Sequence, residues 1–198
     1  FINTGVYNRN RPFRKTVSPS MDILVSSNLE RLLFEVTNHD GEQVSKWMNE
    51  LKEKGQYNVG ELVQNTILTD FFGTWVDEIE TKETIGDVFN NCGYILDPHT
   101  AVAYRALDKY RLLTSDDRYS IVLSTASPFK FSNVVLSAIA PDAKIEEDKP
   151  FETIKALSAK GKIEPPAPLV ALEQLPVLHS DVIEKEDLKV EVEKILKL

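Results

Sequence analysis

The sequence predicts a helix-rich α/β fold, and three observations carry that expectation. Apolar residues recur at helical spacing along much of the chain. One continuous aliphatic run, Ile121-Val122-Leu123, has the composition of a strand covered on both faces, as in a parallel sheet. A helix-start signal, Ser127-Pro128, follows shortly after it, so residues 119–140 read as a strand–turn–helix unit. The 198 residues suffice to bury a sizeable core, and 42% hydrophobic with 27% charged residues is ordinary for a soluble globular protein.

Residues 1–17 are polar, with Arg9, Arg11, Arg14 and Lys15 clustered. They suit a solvated basic loop, or a phosphate-binding patch. Ser27-Asn28-Leu29-Glu30 has the spacing of a capping box, and Leu29, Leu32, Leu33 and Val36 then mark one buried helical face. Asp40 is placed to cap a second helix, in which Val44, Trp47, Met48 and Leu51 repeat the stripe up to Gly55. Residues 62–76 are ambiguous. Phe71 to Val76 is strand-like, and Gly73 within it suggests a bulge or a close backbone approach.

Ile85, Val88, Phe89 and Cys92 restore a helical stripe, with Gly93 as its stop and Cys92 as a small core filler. Asp97-Pro98 opens a further helix with Val102, Ala103, Ala106, Leu107 and Tyr110 along one face. Tyr119–Ser124 is the clearest strand, and the helix after Ser127 is expected to run to about Ala140. Pro150–Lys160 suits a short helix. Pro165-Pro166-Ala167-Pro168 suits a stiff extended connector. Leu188, Val192, Ile195 and Leu196 mark a final amphipathic helix. No internal repeat is visible.

The net charge of −8 argues against nucleic acid, which selects basic surfaces. No apolar run approaches the roughly 20 residues of a membrane-spanning helix. A single cysteine cannot form an internal disulfide, so a reducing cytoplasm is the expected compartment. His39 and His179 lie in polar surroundings without partners at metal-ligand spacing, and no metal is expected. Phosphate-loop, dinucleotide and nucleophile-elbow motifs are absent. Phe1 reads as the middle of a structure, so the chain is expected to be a piece of a longer protein.

Three blocks narrow the expectation: Thr16 to Phe34 around SPSMDI, Gly93–Ala103 (GYILDPHTAVA) and Leu123–Phe131 (LSTASPFKF). In order and spacing they resemble the carboxyl-terminal part of threonine synthase. The resemblance covers roughly residues 1–140 well and the tail weakly. It implies a three-layer open-sheet portion of a fold-type-II enzyme, with residues 1–142 in the catalytic fold and 143–198 as an extension. It also implies a lyase that uses pyridoxal phosphate to convert O-phosphohomoserine and water to threonine and phosphate. In that family the Schiff-base lysine and the glycine-rich phosphate loop lie upstream of this region. Lys15, Lys109 and Lys130 sit in no matching motif. No catalytic residue is therefore expected here, and the chain alone is expected to be inactive. The competing expectation is a catalytically inert homologue, or an autonomous binding or assembly domain.

Open α/β sheets bind ligands beyond the carboxyl ends of their strands, and Thr125 stands just past the Tyr119–Ser124 run. Its hydroxyl can donate to an uncharged ring nitrogen, and the resemblance assigns it to the cofactor's pyridine nitrogen. His99 can bind phosphate or relay a proton. Asp97 suits a helix cap better than a catalytic acid. Asp22 and Asn28, from the polar clusters flanking Ile23–Val25, are candidate second-layer groups beside a substrate channel. Serine at position 127 replaces the histidine of some family members, while the Thr-Ala and Pro positions stand. With a missing amino-terminal part, the Ile121–Leu123 strand and the helix faces would be uncovered. Self-association is then expected, with the helix at 188–196 as one candidate cover.

Overall fold

The computed structural model describes every residue except Glu147, His179 and Leu198, so the expectation of a surface role for His179 lies outside the described residues. The architecture is helix-rich α/β with one small sheet, and it divides into two units, Phe1–Ile163 and Glu164–Leu198.

In the first unit, β1 (Val6–Asn8) pairs antiparallel with β2 (Gln56–Asn58), with Tyr7 opposite Tyr57. Their rings stack at 5.4 Å, and Trp47 stacks on Tyr57 at 6.2 Å. Around them α1 (Leu29–Val36), α2 (Gly41–Lys54) and α3 (Gly60–Asp70) bury Leu33, Trp47, Leu51, Val59 and Ile67. Leu29, Leu32, Val36, Val44 and Met48 pack at the edge of that cluster, as their helical spacing predicts. Burial pushes the Tyr57 phenol above its ordinary range. Asp40 accepts the Gln43 N–H at 2.9 Å, and Gly55 closes α2 in the left-handed region.

A second apolar layer forms on α4 (Glu78–Cys92), α5 (Pro98–Thr114), α6 (Ser132–Ile139) and α7 (Pro150–Gly161). α4 packs against α5 and α6, and α6 against α7. Ile85, Val88, Val135, Leu136, Ile154 and Leu157 are buried there. A short 3-10 turn, Pro128–Phe131, leads into α6 and places Phe129 in the core. Because α7 belongs to this unit, the compact part continues past residue 142.

Several sequence expectations give way. Tyr119–Ser124 has no regular secondary structure and pairs with no strand among the described residues, and Ile121 and Leu123 are 91% and 72% exposed. An aliphatic strand needs neighbours on both edges, and the described residues offer none. The box at Ser27 does not form: Asn28 occupies the cap position without a side-chain bond, and its Oδ1 takes the Ser26 hydroxyl instead. A complete capping box stands at Asp77 and Glu80, in front of α4. Cys92 is exposed, because it is the last residue of α4, beyond the buried turns. α5 buries its first turn, Pro98, Thr100 and Ala101, whereas Ala103 faces solvent. Gly73 does mark a close approach: a Cβ there would lie 2.8 Å from Ile2 Cγ1.

In the second unit the proline-rich run is not an extended connector. α8 (Ala167–Ala171) starts within it, with Pro168 in the first turn, where no N–H is required. α9 (Leu188–Leu196) follows the expected stripe and buries none of its residues.

Candidate ligand-binding site

The loop before α1 is fastened at several points. Asp22 accepts both the Thr16 N–H and the Thr16 hydroxyl at 2.7 Å, which closes the loop on itself. Arg11 donates to the Ile23 carbonyl at 3.0 Å, and the Ser26 N–H donates to the Tyr7 hydroxyl at 2.6 Å. Between these fastenings, Pro19–Met21 forms a single 3-10 turn with Met21 exposed at its tip. Two of the four clustered cations are thereby committed to backbone, since Arg9 donates to the Lys52 carbonyl at 2.9 Å. Arg14 and Lys15 line a groove of about 450 Å³ that also carries Trp75, Asp77 and Glu78.

The first turn of α5 meets that loop. Asp97 is buried and caps the helix, accepting the N–H groups of His99 and Thr100 at 2.9 and 3.4 Å and the Thr100 hydroxyl. Its Oδ1 also lies 3.0 Å from His99 Nδ1. His99 Nε2 accepts the Ser20 backbone N–H at 3.2 Å, and the ring packs 4.8 Å from Phe131. The buried carboxylate has partners on both oxygens and sits at a helix amino terminus, where negative charge is favoured.

Of the expected site residues, His99 is therefore central and has both ring nitrogens engaged within the protein. Asp22 closes a loop, and Asn28 is exposed and bonded to Ser26. Thr125 is exposed, directly after the irregular 119–124 segment, and its hydroxyl has no hydrogen bond among the described residues. The segment leading to it is anchored by a clasp. Asp116 accepts the Tyr110 hydroxyl at 2.8 Å and Arg118 Nη2 at 2.6 Å, and Arg111 reaches the Arg118 carbonyl at 3.2 Å. Arg118 and Tyr110 hold the Asp116 carboxyl well below the usual carboxylate range.

Ser20 belongs to a polar cluster visible in the sequence, but neither its N–H nor the Phe131 ring announces itself there as a partner of His99. Both lie inside motif blocks, so the blocks themselves were the available signal. Lys109, which matches no motif, is tied to Glu80 Oε2 at 2.8 Å and to the Trp75 carbonyl at 2.9 Å. Among the described residues no group of three or more His, Cys, Asp or Glu could hold a metal ion, and no helix is long and apolar enough to cross a membrane.

Comparison with known proteins bears on this arrangement. Residues 100–192 match the family model described as threonine synthase, C-terminal. The chain is 38% identical over 180 residues to threonine synthase of Saccharomyces cerevisiae, covering 82% of this chain and 35% of that protein. It thus spans about a third of that relative's length. The crystal structure of threonine synthase from yeast is similar over 100% of this chain and 40% of its own, at 31% identity and a TM-score of 0.72. The structure of PLP-bound threonine synthase from Brucella melitensis is similar over 78% of this chain and 32% of its own, at 31% identity and a TM-score of 0.64.

Proposed function

Because this chain belongs to the threonine synthase family, we propose that it forms one wall of a pyridoxal-phosphate site where O-phosphohomoserine and water become threonine and phosphate. The observation that carries this reading is the exposed hydroxyl of Thr125, with no hydrogen bond among the described residues, three residues before the Pro128–Phe131 turn begins. A side chain that serves a ligand should have its donor free in this way, and a serine or threonine acting as a cap would not.

When bound, the cofactor supplies an electron sink for carbanion chemistry. Thr125 would hold the cofactor through its hydroxyl, a neutral partner for the pyridine nitrogen where an aspartate would hold that nitrogen protonated. Asp97 and His99 hold the loop and the first turn of α5 in place. Asp22 keeps that loop closed, and Asn28 remains at the start of α1 as a second-layer group. None of Lys15, Lys109 and Lys130 takes the Schiff-base role. The 198 residues alone are therefore inactive, with no release of phosphate from O-phosphohomoserine above a protein-free control. A reducing cytoplasm is the compartment that suits Cys92, exposed and free.

The test is Thr125→Ala in the intact enzyme. Loss of one hydrogen bond should weaken cofactor retention by about 0.5–1.5 kcal/mol, read from a cofactor titration followed by absorbance. Unchanged affinity, spectrum and turnover would overturn the assignment.

A further inference from the structure

The three blocks that carry the family resemblance meet on one imidazole. Ser20 comes from the first, His99 from the second and Phe131 from the third. We propose that His99 is a positioning residue that, as the neutral Nδ1–H tautomer, locks the Pro19–Met21 turn to the first turn of α5.

The donor count leads to the tautomer. A backbone N–H only donates, so the Ser20 N–H at 3.2 Å requires a lone pair on His99 Nε2. The ring proton then sits on Nδ1 and is donated to Asp97 Oδ1 at 3.0 Å. Asp97 cannot swing away, because the same carboxylate caps α5 through the His99 and Thr100 N–H groups. The cap thus fixes the carboxylate, the carboxylate fixes the ring plane, and the ring plane aims Nε2 at the loop. Phe131 closes one face of the ring, and the side chain is only 9% exposed.

The loop needs this partner. Ser20 lies within a single 3-10 turn whose own bonds run from Met21 N to Ser18 O and from Asp22 N to Pro19 O. The Ser20 N–H is left without a partner inside the turn, as the first donors of any helical turn are. His99 supplies the acceptor. A histidine with both nitrogens committed in this way has neither a lone pair nor a proton to offer a substrate. Its effect on a ligand is therefore exerted through the loop that it holds.

This role stands on geometry. Only its consequence for a bound substrate rests on the proposed function. The experiment uses the full chain with 15N-labelled histidine. Long-range proton–nitrogen correlation spectra should show His99 with its proton on Nδ1 and none on Nε2. Amide exchange then follows Ser20 in the parent, His99→Leu and His99→Gln. Leucine should speed exchange at Ser20 about tenfold. Glutamine, whose carbonyl can stand near the Nε2 position, should recover most of the protection. A role in packing alone predicts equal exchange in both variants, with leucine the more stable. A proton on Nε2, or equal protection at Ser20 in all three proteins, overturns the lock. If the leucine variant fails to fold, the tautomer of the parent decides. Turnover enters neither measurement, so failure of the lock and failure of the proposed function give different results.

Discussion

Asp97 shows why some residues disclose their role in sequence. A cap acts on the two or three N–H groups that follow it, so Asp97-Pro98-His99-Thr100 contains all the side-chain partners of Asp97 among the described residues. Asp97→Ala should lower the stability of the chain by about 1–2 kcal/mol, read from the denaturant midpoint, and Asp97→Asn by less, because asparagine also caps. Equal losses would mean that charge rather than capping matters. The link from His99 to Ser20 spans 79 residues and has no local signature. Glu80 is a second residue that the chain's neighbours define. Its hydrogen bond to Lys109, helped by the Asp77 N–H and Arg105, lowers its pKa below the ordinary 4.5. A depressed folded pKa contributes stability above the unfolded value and loses it as pH falls through the folded one. Glu80→Gln should therefore flatten the decline in stability below about pH 4.5, measured by thermal unfolding across an acid pH series. An unchanged acid limb would place that decline on other carboxylates.

At the scale of elements, α2 was legible from both ends, through Asp40 and Gly55, and its stripe from Val44 to Leu51 packs as its spacing requires. α4 was only half legible. Its stop at Gly93 and the Ile85–Val88 stripe were visible, but the Asp77-x-x-Glu80 box was hidden behind the strand-like run Phe71–Val76. β1 and β2 are three residues each and are held by the Tyr7–Tyr57 stack, which pairs residues 50 apart, so no local period announces them. Tyr119–Ser124 fails in the opposite sense: its composition describes a buried strand, and burial depends on partners that the described residues do not contain. Packing between elements can be tested at Gly86, which faces α6. A Cβ there would stand 3.0 Å from the Ala138 carbonyl oxygen, closer than packed atoms normally approach. On an exposed helix Gly→Ala gains about 1 kcal/mol. Here the clash with backbone should outweigh that gain, because overpacking costs about 1–3 kcal/mol. Gly86→Ala should thus lower the midpoint of unfolding, and a rise would show that α4 and α6 can separate freely.

For the whole molecule, the apolar surface decides the behaviour of the isolated chain. The first unit has its own core around Leu33 and Trp47 and a second apolar layer on α4–α7, so it has what it needs to stay folded. Its 119–124 segment nevertheless presents Ile121 and Leu123 to solvent, and neither pairs with a strand among the described residues. In the second unit Leu188, Val192, Ile195 and Leu196 of α9 are all exposed. An uncovered aliphatic strand edge is a template for pairing with another copy, and large exposed apolar patches favour association. Burying an aliphatic side chain such as Ile121 or Leu123 is worth about 1.5–3 kcal/mol, and each one buried between copies works against the entropy lost on association. The 198-residue chain should accordingly grow in mass with concentration when followed by light scattering. Ile121→Lys with Leu123→Lys should return it to a monomer while leaving the cooperative unfolding of the first unit unchanged, since neither side chain is buried in the core. A mass near 22.4 kDa at every concentration, in the parent as well as the variant, would mean that the 119–124 segment folds back onto its own chain in solution.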